Sequence, residues 1–110
     1  MPGLDLTRIS DVLGWAAPGV LAFYCVGCRK HHVVEIETPN QWGAVWKWDG
    51  DVEKPTISPS INIVNRCHMF VEKGQLKYLD DCRHKLSGKT IPMVSVTAPV
   101  DDEDEGLCSY

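Results

Sequence analysis

The 110 residues of this chain contain no stretch approaching the ~20 apolar residues that a membrane-spanning helix requires. The first residues, MPGLDLTRISDVLG, lack both the basic start and the apolar core of a secretion signal, so a cytoplasmic protein with no membrane contact is expected. Internal repeats are absent, and so is any low-complexity tract apart from one acidic run, which argues against solenoid and fibrous architectures. Hydrophobic residues at 44% and charged residues at 24% match a globular chain and exclude a disordered one. No domain boundary is visible, and a chain of this length holds one core.

Net charge of either sign is nearly absent from the body of the chain. The net charge is −4, but Asp101, Asp102, Glu103, Asp104 and Glu105 contribute −5 and leave residues 1–100 at +1. A body with so little net charge does not favour nucleic acid as a partner. Five adjacent like charges repel one another and stay solvated. Residues 99–110 therefore read as a disordered acidic tail on a single domain spanning residues 1–98.

Cysteine, by contrast, is plentiful. Five cysteines without a secretion signal read as metal ligands, because the cytosol keeps thiols reduced. Cys108 lies in the polar tail and reads as a spare thiol. Cys25-Val26-Gly27-Cys28 places two thiolates on one tight turn, the spacing with which proteins grip half of a tetrahedral zinc ion. Thioredoxin-like redox sites share this spacing in a βαβ setting, but here Arg29-Lys30-His31-His32 and the strand-like VVEIE follow, with no helical pattern. The other half of the shell must come from Cys67-His68 and from Cys82-x-His84. Histidines left over beside the site could orient ligands or move protons.

From residue 21 onward the apolar residues fall in short runs bounded by Gly, Pro, Asn and Asp: LAFYCV, VVEIE, AVWKW, SINIV, CHMFVE, QLKYL and IPMVSV. This pattern predicts a mostly β fold, a small antiparallel sheet or sandwich-like domain stapled by zinc, with one or two short helices. RCHMFVEKGQLKYLD reads as a hairpin turning at Lys73-Gly74. Asp81 is placed to cap a short helix over CRHKLS ending at Gly88, and Leu6, Ile9 and Leu13 have helical spacing near the N-terminus. Pro55 and Pro59 make WDGDVEKPTISPS an ordered loop leading into a strand at 60–64.

These elements restrict the ligand set. Alternation along the strand sends Cys67, Met69 and Val71 to one face and His68, Phe70 and Glu72 to the other, so Cys67 and His68 cannot share an ion without a bulge. If Cys82 opens a helix, His84 is turned about 200° away from it. The most economical set is Cys25, Cys28, Cys82 and one of Cys67 or His68, with His84 a further candidate. Trp15, Trp42, Trp46 and Trp48 are numerous for the length. Trp46 and Trp48 share a strand face beside Lys47 and Lys54, as core residues or as a surface for bases or peptide.

FYCVGCRKHH, WKWDGDVEKPTISPSI and CHMFVEKGQLKYLDDCRHKLSGKTIPM together resemble a family of small tailed-phage and prophage proteins often mislabelled ammonia monooxygenase. The resemblance covers about residues 22–93 and includes the aromatic-Cys-x-x-Cys start, Trp-x-Trp-Asp-Gly, Lys-Pro-Thr-x-Ser-Pro-Ser, Cys-His-x-Phe and Asp-Cys-x-His. Val26, where proline is usual, and the acidic tail depart from it. A chain lacking membrane spans does not fit a copper monooxygenase. The same blocks more distantly resemble small metal-binding proteins of bacterial ubiquitin-like operons. That second likeness implies metal-site roles for Cys25, Cys28 and His68.

The resemblance implies a phage or prophage origin but no particular reaction; the leading expectation is a zinc-stabilised accessory module of a phage-infected bacterial host that binds another macromolecule, a host or phage protein. The alternative is a zinc-dependent, peptidase-like hydrolase with His68 or His84 in an open metal site near Pro55–Ser60 and Glu35, Glu53 or Asp81 as its general base, although none of these lies in a recognisable hydrolase motif. A second alternative is a single-stranded nucleic-acid binder using the Trp46/Trp48 pair.

Overall fold

The computed structural model describes residues 6–63 and 66–97 and the backbone of residues 107–108. Their strands, in chain order, are β1 (Thr7–Arg8), β2 (Gly14–Ala17), β3 (Val20–Cys25), β4 (Lys30–Glu35), β5 (Lys47–Trp48), β6 (Ile57–Ile63), β7 (Cys67–Glu72), β8 (Gln75–Tyr78), β9 (Thr90–Pro92) and β10 (Leu107–Cys108). They form two sheets, ordered β1-β2-β3-β4-β10 and β5-β6-β7-β8-β9. Neighbours pair antiparallel throughout except β10, which lies parallel to β4 with Leu107 opposite His31. The mostly β, antiparallel expectation is met. Of the expected acidic tail, 99–110, only this short strand is described; the rest lies outside the described residues.

Alternation builds the core between the sheets. Leu21, Phe23 and Cys25 of β3 and Val34 of β4 meet Ile57, Ile61 and Ile63 of β6, Cys67, Met69 and Val71 of β7, and Leu76 and Tyr78 of β8. Each large apolar side chain removed from water here contributes roughly 1.5–3 kcal/mol. The β3 residues of opposite parity, Ala22 and Tyr24, are buried as well. On β4, the neighbouring strand, the His31 ring donates to the Val96 carbonyl while Val96 N–H reaches Asp11 O at 2.7 Å, so the segment around Val96 ties across this sheet.

The hairpin forms as expected. Lys73 and Gly74 have φ of 48° and 77° between the paired Glu72 and Gln75, the two-residue turn that needs left-handed backbone at both positions. β6 differs from its expected span by starting at Ile57 and running through Pro59. Ile57 pairs with Val71 and Ile61 with Met69, so residues 58–60 bulge opposite Phe70 alone, and Pro59 is not called on for a ladder N–H.

Neither expected helix appears among the described residues. At the N-terminus Ser10 Oγ accepts from Val12 and Leu13 N–H while Leu13 O accepts from Ile9 and Ser10, and this tight turn joins β1 to β2. Over 82–88 the chain makes isolated turns, Ser87 to His84 and Lys89 to Leu86, tied to Leu79 O by Gly88 N–H. A regular helix would prevent this segment's side chains from reaching their separate partners, described next. No helix among the described residues is long and apolar enough to cross a membrane.

Candidate functional site

Two polar constellations flank β7, one on each side. On its core side, Cys67 meets Cys25 from the end of β3, Cys28 from the turn after it and His84 from the loop after β8, and their ligand atoms all lie within 4.8 Å of one another. Cys25 Sγ is 3.9 Å from Cys67 Sγ, which is 3.2 Å from His84 Nε2. The Cys25–Cys28 turn is closed by Arg29 N–H on Cys25 O at 2.8 Å, and Cys28 N–H points at Cys25 Sγ at 3.4 Å. Gly27 permits close approach: a Cβ there would lie 2.3 Å from the His84 ring. Three sulfurs and an imidazole converging on one point are a donor set able to hold a metal ion.

Outer groups orient these donors. Tyr78 Oη accepts Gly27 N–H and lies 3.2 Å from Cys25 Sγ, where it can donate, and the His84 ring meets Tyr78 edge-on at 4.6 Å. Hydrogen bonds from Cys28 and Cys67 pull the Cys25 thiol strongly down, so the cluster favours a thiolate there, while contacts with Cys25 and then Cys28 push Cys67 up. Burial lowers His84 and so keeps its imidazole neutral, the form that ligates. Burial also raises the Tyr78 phenol, which keeps it a donor.

On the outward side of β7, His68 joins a second set. Its Nε2 lies 3.1 Å from Ser60 Oγ and its Nδ1 lies 3.0 Å from Asp81 Oδ2. Asn62 of β6 faces His68 directly, which makes Ser60 its diagonal neighbour, and the 58–60 bulge gives Ser60 its aim. Asp81 comes from the turn after β8. The hydrogen bond from His68 holds the Asp81 carboxyl below the usual carboxylate range. The His68 side chain is 23% exposed and that of Asp81 64%, so the array opens to solvent. Beside it a cleft of 510 Å³ is lined by Asn62, Arg66, Asp80, Asp81, Cys82 and Arg83 among others.

Of the six residues singled out as ligand candidates, the structure therefore gathers Cys25, Cys28, Cys67 and His84 and leaves out Cys82 and His68. The opposite facing of Cys67 and His68 is as alternation requires. A helix opening at Cys82 would favour Cys82 over His84; without one, the loop carries His84 to the sulfurs and turns the Cys82 thiol to the His68 backbone. His31 and His32 are buried in β4 against Tyr24 and Phe23. Trp46 is buried and donates Nε1–H to Ser60 O at 3.3 Å, and Trp48 packs edge-on against Trp15, so the pair is not displayed for base stacking.

Sequence reasoning misses Ser60 and gives Asp81 only as a helix cap or as a general base beside a catalytic metal. The one signal was that Ser60, His68 and Asp81 each lie in a motif block quoted above. Their spacing carries no message, because a Ser-His-Asp set is recognised by geometry and not by sequence position.

The fold and its two sites define a class: a small two-sheet β domain with a Cys₃His cluster between its sheets and a Ser-His-Asp array on one outer face. More particularly, the chain belongs to the family described as bacterial ubiquitination-like system serine protease (BubE), whose model matches residues 7–79. The match includes Ser60, His68 and three of the four cluster residues, and stops two residues before Asp81. No curated protein and no solved structure matches the chain.

Proposed function

We propose that this protein is a serine peptidase whose nucleophile is Ser60, with the Cys₃His cluster holding a structural zinc ion. The observation that carries the reading is the continuous pair of contacts from Ser60 Oγ through the His68 ring to Asp81, at 3.1 and 3.0 Å. In the matching tautomer Ser60 O–H donates to Nε2 and Nδ1–H donates to the Asp81 carboxylate. Ser60 Oγ then attacks the acyl carbon as His68 takes its proton, and Asp81 stabilises the imidazolium. His68 passes the proton to the leaving amine, and water repeats the cycle to release the acid.

The donor set supports zinc as the metal. A tetrahedral zinc with Zn–S bonds of ~2.3 Å has sulfurs about 3.8 Å apart, close to the 3.9 Å between Cys25 and Cys67. Four protein donors fill a tetrahedral shell, which favours a structural site over the open position that a zinc hydrolase would need. The bound ion would supply cross-linking between the sheets. The protein partner expected from the sequence is then the polypeptide substrate. The solvent-open array and the family's description as a serine protease support that assignment.

A fluorophosphonate probe tests this reading. Metal-loaded protein is expected to be labelled covalently at Ser60, and Ser60→Ala is expected to lose both labelling and peptide hydrolysis while keeping its metal and its melting temperature. A wild-type protein that does not label, or a Ser60→Ala variant that still cleaves, removes Ser60 as the nucleophile.

A further inference from the structure

Cys82 lies between the two sites, one residue after Asp81 and two before His84, and its thiol belongs to neither of them. Its Sγ accepts the His68 backbone N–H at 3.2 Å and lies 3.0 Å from the His68 carbonyl oxygen, to which S–H donates. The need for these bonds follows from the ladder. The last β7–β8 pair is Met69 with Tyr78, so His68 falls one position beyond the end of β8. Leu79 N–H reaches His68 O at 2.9 Å, and the His68 N–H is met by the thiol. The thiol therefore stands in for the carbonyl that a longer β8 would offer to the His68 N–H, and its S–H joins Leu79 N–H on the His68 carbonyl.

We infer that Cys82 is the positioning residue of the Ser60–His68–Asp81 array, which rests on the serine-peptidase reading above. The His68 ring is on the partly exposed face, where Ser60 and an Asp81 carboxylate that is itself solvent-exposed make its polar contacts. Contacts so open to solvent hold the ring only in part, so the placement of Nε2 depends also on how firmly the His68 backbone is held. Cys82 holds that backbone at both its N–H and its C=O. Because Cys82 is covalently next to Asp81, the same turn that presents the carboxylate to Nδ1 also fastens the peptide that bears the ring. Base and orienter are thereby locked together over a short path instead of through the whole length of the hairpin.

This role also accounts for a cysteine at the position. Both bonds require a group that donates and accepts at once. The long C–S bond carries sulfur within 3.0 and 3.2 Å of the two groups, close contacts for a thiol, whereas a hydroxyl on its shorter C–O bond would sit further back from both. Serine keeps both functions at shorter reach, and alanine keeps neither. Loss of the clasp should move the ring by a fraction of an ångström and slow acyl transfer without touching the cleft that binds substrate.

The test compares wild type, Cys82→Ala and Cys82→Ser as full-length, metal-loaded proteins, measuring metal stoichiometry, fluorophosphonate labelling, ester hydrolysis and amide exchange at His68. Cys82→Ala is expected to retain its metal, to exchange the His68 amide faster than wild type, and to label and turn over about 10–100-fold more slowly at unchanged KM. Cys82→Ser is expected to recover part of the loss; should the alanine variant not fold, the serine variant's intermediate rate with full metal content carries the test. Wild-type rates in either variant overturn the inference. So does parallel loss of metal, which would make Cys82 a ligand. If the wild type itself does not label, the peptidase reading fails separately, and His68 exchange then decides the clasp: unchanged exchange in Cys82→Ala ends it.

Discussion

Asp81 is nearly two-thirds exposed, yet its carboxyl is held below the ordinary range, chiefly by the hydrogen bond from His68. A depressed carboxylate keeps its charge down through mildly acidic pH and loses it only as pH falls through the lowered value, so the acceptor for Nδ1–H is present wherever the imidazole is neutral. Asn in its place has nearly the same shape but can offer an N–H to Nδ1, which selects the wrong tautomer. Asp81→Asn is therefore expected to lower kcat on the order of 10²–10⁴-fold with metal content unchanged. An unaltered kcat would mean that the carboxylate is a bystander. At this scale the sequence is only partly informative. Cys25 and Cys28 are legible because one turn holds both, whereas Ser60 is one serine among several until the sheet brings it to His68.

The elements show where local rules suffice and where they fail. The β7–β8 hairpin and the alternation that parts Cys67 from His68 depend on neighbours in sequence, and both are as expected. The loop after β8 does not follow its local pattern. An N-cap, a short polar run and a glycine suggested a helix, but Asp81 is taken by His68, Cys82 by the His68 backbone and His84 by the sulfurs, and no helical turn presents side chains in those three directions. The Cys25–Cys28 turn carries a matching constraint. Its Gly27 has room for a hydrogen only, since a Cβ would lie 2.3–2.5 Å from three atoms of the His84 ring. Gly27→Ala should displace the imidazole and leave the three thiols in place, weakening metal binding by about 10–100-fold, the range seen when a ligand's orientation is disturbed. Competition against a chromophoric chelator would measure this, and wild-type affinity would show that His84 is not needed.

In the whole molecule the metal cluster and the Ser-His-Asp array are neighbours through two short pieces of chain. Cys67 and His68 are adjacent on β7, and Asp81 and His84 share one loop. Cys25 and Cys28 belong to the first sheet's β3 and the turn after it, whereas Cys67 and His84 belong to the second sheet and its loop, so an ion bound by all four ties the two layers at one end of the core. A domain of this size buries too little surface to be strongly stable without such a tie. Structural zinc contributes on the order of 10 kcal/mol of apparent binding free energy in small domains, and a loss of even a few kcal/mol moves the melting temperature of a 100-residue domain by roughly 10 °C or more. Stripping the metal with a chelator under reducing conditions should therefore lower the melting temperature by at least that much. Fluorophosphonate labelling at Ser60 should vanish in the same titration, because the strand and loop that carry His68 and Asp81 lose their anchor together. Ser60→Ala, by contrast, should abolish labelling with no change in melting. Stripped protein that labels at the wild-type rate would separate the two sites and leave the ion no part in holding the array.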